Sequence, residues 1–276
     1  MNELVITKAH GLIISILDGI DNNLLPDELK TRDKDEPDRV RKMLYEKKLT
    51  RIISRRFKKQ REKIAQWLSM RYPERSKVIN VTEPPPLPDD LFEDDESDAE
   101  LHRLFSTAFI SGVNMYDVGS LFSLDYSVFN EKAFAWAHKN SLDLIKGRGK
   151  EKGIDEVTKD TIRAAIGSFV ETPGMTIGDV VNQLPFDTKR AFSIARTEIT
   201  RTYSQAELQA GKETKKEYSD VRVTKTWESA LNERTCEICG GLHGVEVDID
   251  EDFPGGYQAP PAHPWCDCGI SVRTRI

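Results

Sequence analysis

No apolar run in this 276-residue chain approaches the roughly 20 residues that a bilayer-spanning helix needs. A helical membrane span is therefore excluded, and no membrane partner is expected. Cysteine is absent before position 236, and all four cysteines fall between Cys236 and Cys268. That clustering excludes a disulfide framework spread through a small secreted domain and fits a reducing compartment, the cytoplasm of a bacterial host. The apolar stretch Leu12 to Leu17 has only Lys8 as a positive side chain before it and lacks a small-residue cleavage site, so no secretory signal is expected. Histidine is scarce, with five in the chain, and His10, His102 and His138 sit in helical surroundings as core-edge or surface residues. What remains is ordinary for a soluble protein, with 38% hydrophobic and 31% charged residues.

The net charge of -6 hides strong segregation. Between Arg39 and Lys63 stand twelve basic residues, Arg39, Arg41, Lys42, Lys47, Lys48, Arg51, Arg55, Arg56, Lys58, Lys59, Arg61 and Lys63, against two acidic ones, Glu46 and Glu62. Val40, Leu44, Ile52, Phe57, Ile64 and Leu68 recur among them at near-helical spacing, which predicts one or two basic amphipathic helices. Such an element is either a solvated helix face or a surface for the phosphates of double-stranded DNA. The next segment joins Pro84 to Pro86 with eight acidic residues from Asp89 to Glu100 and no basic ones. Prolines remove backbone donors and like charges repel, so an extended, exposed linker is expected over 84–100. Its charge also allows it to fold back on the basic helix and screen it. The organisation expected is thus an N-terminal helical region at 1–83, the linker at 84–100, and a second domain at 101–276.

Within that second domain, apolar residues at helical spacing lead up to glycine breaks at Gly119 and Gly147, and Thr158 to Phe169 adds a further helix. A turn and a short helix follow from near Thr176, then a longer helix from about Asp187 with Gly211 as its stop. Val221 to Ser229 (VRVTKTWES) carries the first strand signal, and the terminal GISVRTRI is its expected partner. The fold class is mainly α with a small β-containing, cysteine-rich C-terminal module, the cysteine/histidine knuckle occupying 232–272.

Cys236 and Cys239 form a C-x2-C pair, a spacing that lets a tight turn point both thiolates at one tetrahedral metal. Cys266 and Cys268 form C-x-C, in which alternate residues of an extended segment face the same way. The two pairs, with His263 or His243 able to replace one sulfur, suit a structural zinc ion that holds a loop with too little core to fold alone. Reduced thiols or a disulfide are the alternatives. No catalytic constellation is legible. Zinc deaminases place H-x-E ahead of P-C-x-x-C, whereas His243 and Glu246 follow the first cysteine pair here. A nuclease of the HNH type needs a general-base histidine where this chain reads Val247-Asp248-Ile249-Asp250. Arg196 and Glu198 stand two apart on a predicted helix, so they point to different sides and are expected to make separate structural contacts.

Taken in order, TKDTIRAAIGSFVETPGMTIGDVVNQL, RAFSIARTEITRTYSQAELQAG, KTWES, RTCEICGGLHG and PPAHPWCDC give the chain a recognisable profile. It resembles the phage head morphogenesis proteins typified by Mu protein F, over roughly Phe134 to Val272. IARTE and the PP-x-HP-x-C-x-C tail are the most specific matches. Relatives often carry Asn and Arg where this chain has Trp265 and Asp267, so no role of that arginine carries over. The resemblance implies a minor head protein rather than an enzyme, present in few copies in the virion. Its implied partners are the portal protein, the major capsid protein or both, with contact to packaged DNA as a further role.

Overall fold

The computed structural model describes residues 37–71, 87–119, 126–172, 175–218, 220–231 and 235–275. The Leu12 to Leu17 stretch, His10 and the Pro84 to Pro86 run lie outside them. Helix α1 spans Pro37–Arg71 as one continuous helix. Its buried face carries Tyr45, Leu49, Ile52, Ile53, Phe57, Ile64 and Leu68, spaced by three, four or seven residues apart from the adjacent isoleucines. At about 1.5 Å per residue α1 is some 50 Å long, long enough to serve two cores. Its first half packs on helices α2 (Asp95–Gly119), α3 (Tyr126–Lys146) and α6 (Thr188–Glu217), through Phe105, Ala137, Ile199 and Tyr203 among others. Its second half, through Ile64 and Leu68, packs on α4 (Ile154–Glu171) and α5 (Ile177–Asn182).

The acidic segment is not the exposed linker expected. Asp89–Leu91 forms a 3-10 turn, and Leu91 and Phe92 are buried against the end of α1. Helix α2 begins at Asp95, with acidic residues in its first turn where the helix dipole favours them. The burial of two apolar side chains and the opposite charge on α1 outweigh the mutual repulsion of the carboxylates. Lys59 donates to Asp94 at 2.9 Å and to Glu96 at 2.8 Å, Arg55 pairs with Glu100, and Lys63 donates to the carbonyls of Asp90 and Glu93. Arg56, only 1% exposed, is held by Asp98 at 2.6 Å, by the Phe92 carbonyl at 2.8 Å and by Asp155 at 3.4 Å. Burial pushes the carboxyls of Asp98 and Asp155 up in spite of that guanidinium. Asp94, by contrast, is held below the usual carboxylate range: its burial is outweighed by hydrogen bonds from Ser97 and Lys59.

Between α3 and α4, strands β1 (Gly147–Arg148) and β2 (Glu151–Lys152) make a short antiparallel hairpin. Helix α5 starts with a reciprocal cap in which Thr176 Oγ1 accepts from Asp179 N at 3.1 Å and Asp179 accepts from Thr176 N at 2.6 Å. Helix α6 starts on Asp187, which accepts from Arg190 N at 2.8 Å. Gly211 does not stop α6. The helix continues through it to Glu217, and a Cβ there would lie 2.8 Å from Val272 and 2.9 Å from Ile249. Gly211 is thus a packing residue that lets α6 approach the sheet.

That sheet has the order β4-β3-β5, with β3 (Arg222–Glu228) central, β4 (Glu246–Asp248) on one side and β5 (Gly269–Arg275) on the other, all antiparallel. The terminal segment pairs with β3 along its whole length, from Arg222 opposite Arg275 to Glu228 opposite Gly269. Short helix α7 (Glu237–Leu242) lies between β3 and β4 and carries Cys239. A third core joins Leu208 of α6 to Val223, Trp227, Phe253 and the buried cysteines.

Gly112 of α2 sits where that helix crosses α6, and a Cβ there would lie 2.7 Å from Ala206 Cβ and 3.2 Å from the Tyr203 backbone. Gly167 of α4 has open space around it. Gly112→Val should therefore lower unfolding free energy by about 2 kcal/mol through overpacking, while Gly167→Ala should raise it by about 0.5 to 1 kcal/mol. Urea unfolding midpoints test both, and equal effects of the two substitutions would contradict the close crossing.

Candidate metal centre and its helix clasp

Cys236 caps the start of α7, its Sγ accepting from Cys239 N at 3.4 Å, and this tight turn aims both thiols at one point. His263 comes to the same point from the loop that precedes β5. Its Nε2 stands 3.1 Å from Cys236 Sγ and 3.3 Å from Cys239 Sγ. The other ring nitrogen, Nδ1, lies 2.6 Å from the Pro264 carbonyl. A carbonyl can only accept, so Nδ1 carries the proton and Nε2 presents its lone pair to the sulfurs, the tautomer a metal-binding imidazole requires. Cys239 Sγ is also 3.8 Å from Cys266 Sγ, and Cys239, Cys266 and Cys268 form a second close group. The two groups share Cys239, and all four cysteines are free thiols.

These groups can hold a metal. A tetrahedral ion with bonds of about 2.3 Å to sulfur and about 2.0 Å to nitrogen sets its sulfurs about 3.8 Å apart and sulfur from nitrogen about 3.5 Å apart. The sulfur pair matches, and the sulfur-to-nitrogen separations are shorter by a few tenths of an ångström. Electrostatics also points to a cation. A hydrogen bond from Cys268 holds the Cys266 thiol down to about 5, and that same sharing, together with burial, pushes Cys268 up. Burial and the Cys266 charge push Cys239 up to about 12. The backbone N–H of Cys239 draws Cys236 down. Buried thiols this close cannot all ionise beside one another, and a divalent ion supplies the charge that would let them.

The five candidate residues named from the sequence thus fall in two close groups that share Cys239. His243 takes no part, its Nδ1 instead accepting the Ser229 N–H at 3.1 Å. The basic residues of α1, by contrast, do not form one surface. Lys42 lies 3.6 Å from Asp267 beside the cysteines, Arg61 donates to Asn182 at 2.7 Å, and Lys47 is buried. Arg55, Arg56, Lys59 and Lys63 hold the acidic segment, and Arg41 also has a partner. Among the described residues none pairs with Lys48, Arg51 or Lys58, and the side chain of Arg39 lies outside those described.

The contacts of the Ala195-Arg196-Thr197-Glu198 stretch were not legible in the sequence. Residues two apart on a helix diverge by about 200°, and the structure uses both directions. Arg196, 3% exposed, pairs with Asp267, the residue between the two C-terminal cysteines. Thr197 Oγ1 accepts the N–H of Trp265 at 3.0 Å, and the Trp265 ring meets Phe192 edge-on at 5.5 Å. On the opposite side, buried Glu198 accepts from Asn140 of α3 at 3.3 Å and from Arg148 of β1 at 3.4 Å. The helix is thereby clasped to the cysteine module on one side and to the body on the other. His102 and His138 meet edge-to-face with ring centres 5.6 Å apart, and Phe134 lies edge-on to His102 at 4.3 Å.

Removing Asp267 leaves Arg196 buried with its principal partner gone. Asp267→Ala should lower unfolding free energy by about 3 kcal/mol, and adding Arg196→Met should restore part of that loss, because a buried charge is costlier than an apolar side chain of similar size. A double variant no more stable than Asp267→Ala in urea unfolding would contradict the clasp.

Comparison with curated proteins and with solved structures brings no match. The family model described as Phage Mu protein F like protein matches residues 143–271, a span that holds Arg148, the Arg196 and Asp267 clasp and all four cysteines. Residues 143–271, just under half of the chain, are thus similar to the Phage Mu protein F-like family.

Proposed function

We propose that this chain is a minor head protein of phage head morphogenesis, docked on the portal or the inner capsid surface. The observation that carries the reading is the coincidence of the family match with the clasp: residues 143–271 enclose both ends of α6 and all four cysteines. Mass spectrometry of gradient-purified, nuclease-treated heads should find the chain at a few copies beside the portal. Particles that lack it yet assemble, package and infect normally would refute the role.

Within that role, the thiol cluster holds one structural zinc ion through Cys236, Cys239, His263 and Cys266, with Cys268 as hydrogen-bond partner to Cys266. The 3.8 Å separation of Cys239 and Cys266 and the tautomer of His263 support this set. The ion supplies positive charge and a cross-link between α7 and the loop before β5. Purified protein should carry about one zinc per chain, and chelation should loosen 235–275 in hydrogen exchange. Cys268→Ser should keep the metal and Cys239→Ser should lose it. Substoichiometric zinc with four freely titrating thiols would refute the centre.

A second reading, contact with packaged duplex DNA, is supported by Lys48, Arg51 and Lys58, which follow at intervals of three and seven residues on one face of α1. Reversing all three to Glu should weaken duplex binding and flatten its dependence on log salt by about 2 to 3. Absence of any duplex shift by the unaltered chain at low salt would exclude this reading.

A further inference from the structure

The edges of the β4-β3-β5 sheet are finished differently. Trp227 donates its N–H to the Val245 carbonyl at 3.0 Å, and the Val223 carbonyl accepts from Ile249 N–H at 3.1 Å, so the odd-numbered positions of β3 bond towards β4. The even-numbered positions therefore bond β5. With Thr224 opposite Arg273 and Arg222 opposite Arg275, the main-chain groups of both arginines turn inward to β3. Those of Val272 and Thr274 turn outward. The β4 edge is closed, because the Asp248 N–H reaches Glu251 Oε2 at 3.4 Å and the Asp248 carbonyl accepts from Glu251 N–H at 3.0 Å. On the β5 edge, among the described residues, no hydrogen bond reaches the N–H or C=O of Val272 or Thr274, both half-buried. A strand edge left open in this way is a template for a further strand.

Charge decides what that strand is. Residues opposite one another in a ladder share a face of the sheet, so Arg222, Arg273 and Arg275, all exposed, lie on one face. Arg222 stands directly opposite Arg275, and like charges so placed weaken a strand pair. Glu246 takes Arg275 at 3.1 Å, but Arg273 has no carboxylate partner among the described residues. We infer that β5 pairs, along Val272 and Thr274, with an extended segment of a protein partner in which acidic residues alternate with apolar ones. The acidic side chains fall on the arginine face, beside Arg273 and Arg275. The apolar ones fall on the other face, where Val272 meets Gly211 of α6. A second copy of this chain fits less well, since antiparallel pairing of two β5 strands about Val272 makes the two Arg273 side chains diagonal neighbours. This names a surface for the docking role proposed above and rests on it.

The probe is an acetylated, amidated heptapeptide of alternating glutamate and valine, titrated into the full chain by calorimetry while amide hydrogen exchange is followed residue by residue. Saturable binding is expected, with exchange slowed at Val272 and Thr274 and unchanged at Ser271 and Arg273, whose amides already face β3. Thr274→Pro deletes an outward donor and leaves the ladder to β3 whole, and it should weaken binding about tenfold. Arg273→Glu, at an exposed position, should weaken it about fivefold and decides the matter should Thr274→Pro fail to fold. No saturable binding, binding without protection at Val272 and Thr274, or undiminished affinity in Arg273→Glu would overturn the inference. Equal affinity for the same peptide with glutamine in place of glutamate would overturn the choice of an acidic partner. Slow exchange at both amides before peptide is added would show the edge already covered, by the chain itself in a monomer or by a second copy in a dimer. Displacement of the peptide by a short DNA duplex would overturn it in favour of nucleic acid. A chain found in heads whose edge ignores the peptide loses only this surface; one that binds the peptide but is absent from heads loses only the head assignment.

Discussion

Arg196 is the constraint around which the C-terminal half is arranged. A guanidinium in the middle of a long helix, 3% exposed, is tolerated only where a carboxylate reaches it, and Asp267 does so from between two cysteines. The position of Asp267 then sets where Cys266 and Cys268 lie, because neighbours on an extended segment face the other way. Both thiols consequently turn towards Cys239 while Asp267 turns towards α6. One ion pair thus orients two of the five candidate metal ligands. The C-x-C spacing, one residue shorter than in common zinc ribbons, follows from it: the single intervening residue is the one that holds the helix.

A comparable logic governs the N-terminal half. The basic helix and the acidic segment read in isolation as a charged face and a solvated linker, and neither sign alone makes a compact structure. Together they close on each other, with Arg56 buried between Asp98 and Asp155 and the Lys59 ammonium shared by Asp94 and Glu96. The exposed members of this set contribute little each. The direction of the contact comes from Leu91 and Phe92, which bury beside Ile64 and Leu68 and bring the carboxylates to the basic side chains. The chain's net charge of -6 is therefore a poor guide to its surface, since much of the basic charge of α1 is neutralised internally.

How much of this was legible in the sequence follows from the range of each interaction. The helices, the pairing of the last strand with β3 and the cap at Thr176 rest on periodicity and local hydrogen bonds, and residue order encodes both directly. Convergence of Cys236, Cys239, His263, Cys266 and Cys268 was also readable, since spacing within each pair fixes its local geometry. Gly211 misled because a glycine tolerated for close approach to Val272 and Ile249 looks identical in sequence to one that ends a helix. The acidic stretch misled because its two apolar residues are few beside eight carboxylates, and only the presence of α1 decides between solvation and burial. The contacts of Arg196 and Glu198 depend on partners 71 and 50 residues away, a separation at which sequence carries no geometric information.

The length of α6 gives these separate contacts a common consequence. Its first half lies in the core shared with α1, α2 and α3, its middle lies against Phe109 and Val113, and Leu208 lies in the cysteine module. An α-helix resists bending over such a distance, so the module is positioned relative to the helical body by a strut rather than by a flexible joint. Arg196 and Glu198 then act on one rigid element from opposite sides, and neither clasp can loosen without loading the other. A partner that engages the cysteine module is consequently held in a fixed orientation to the whole body. For a protein whose proposed task is to occupy a defined place in a capsid, that fixed orientation matters more than a tight contact at any single residue.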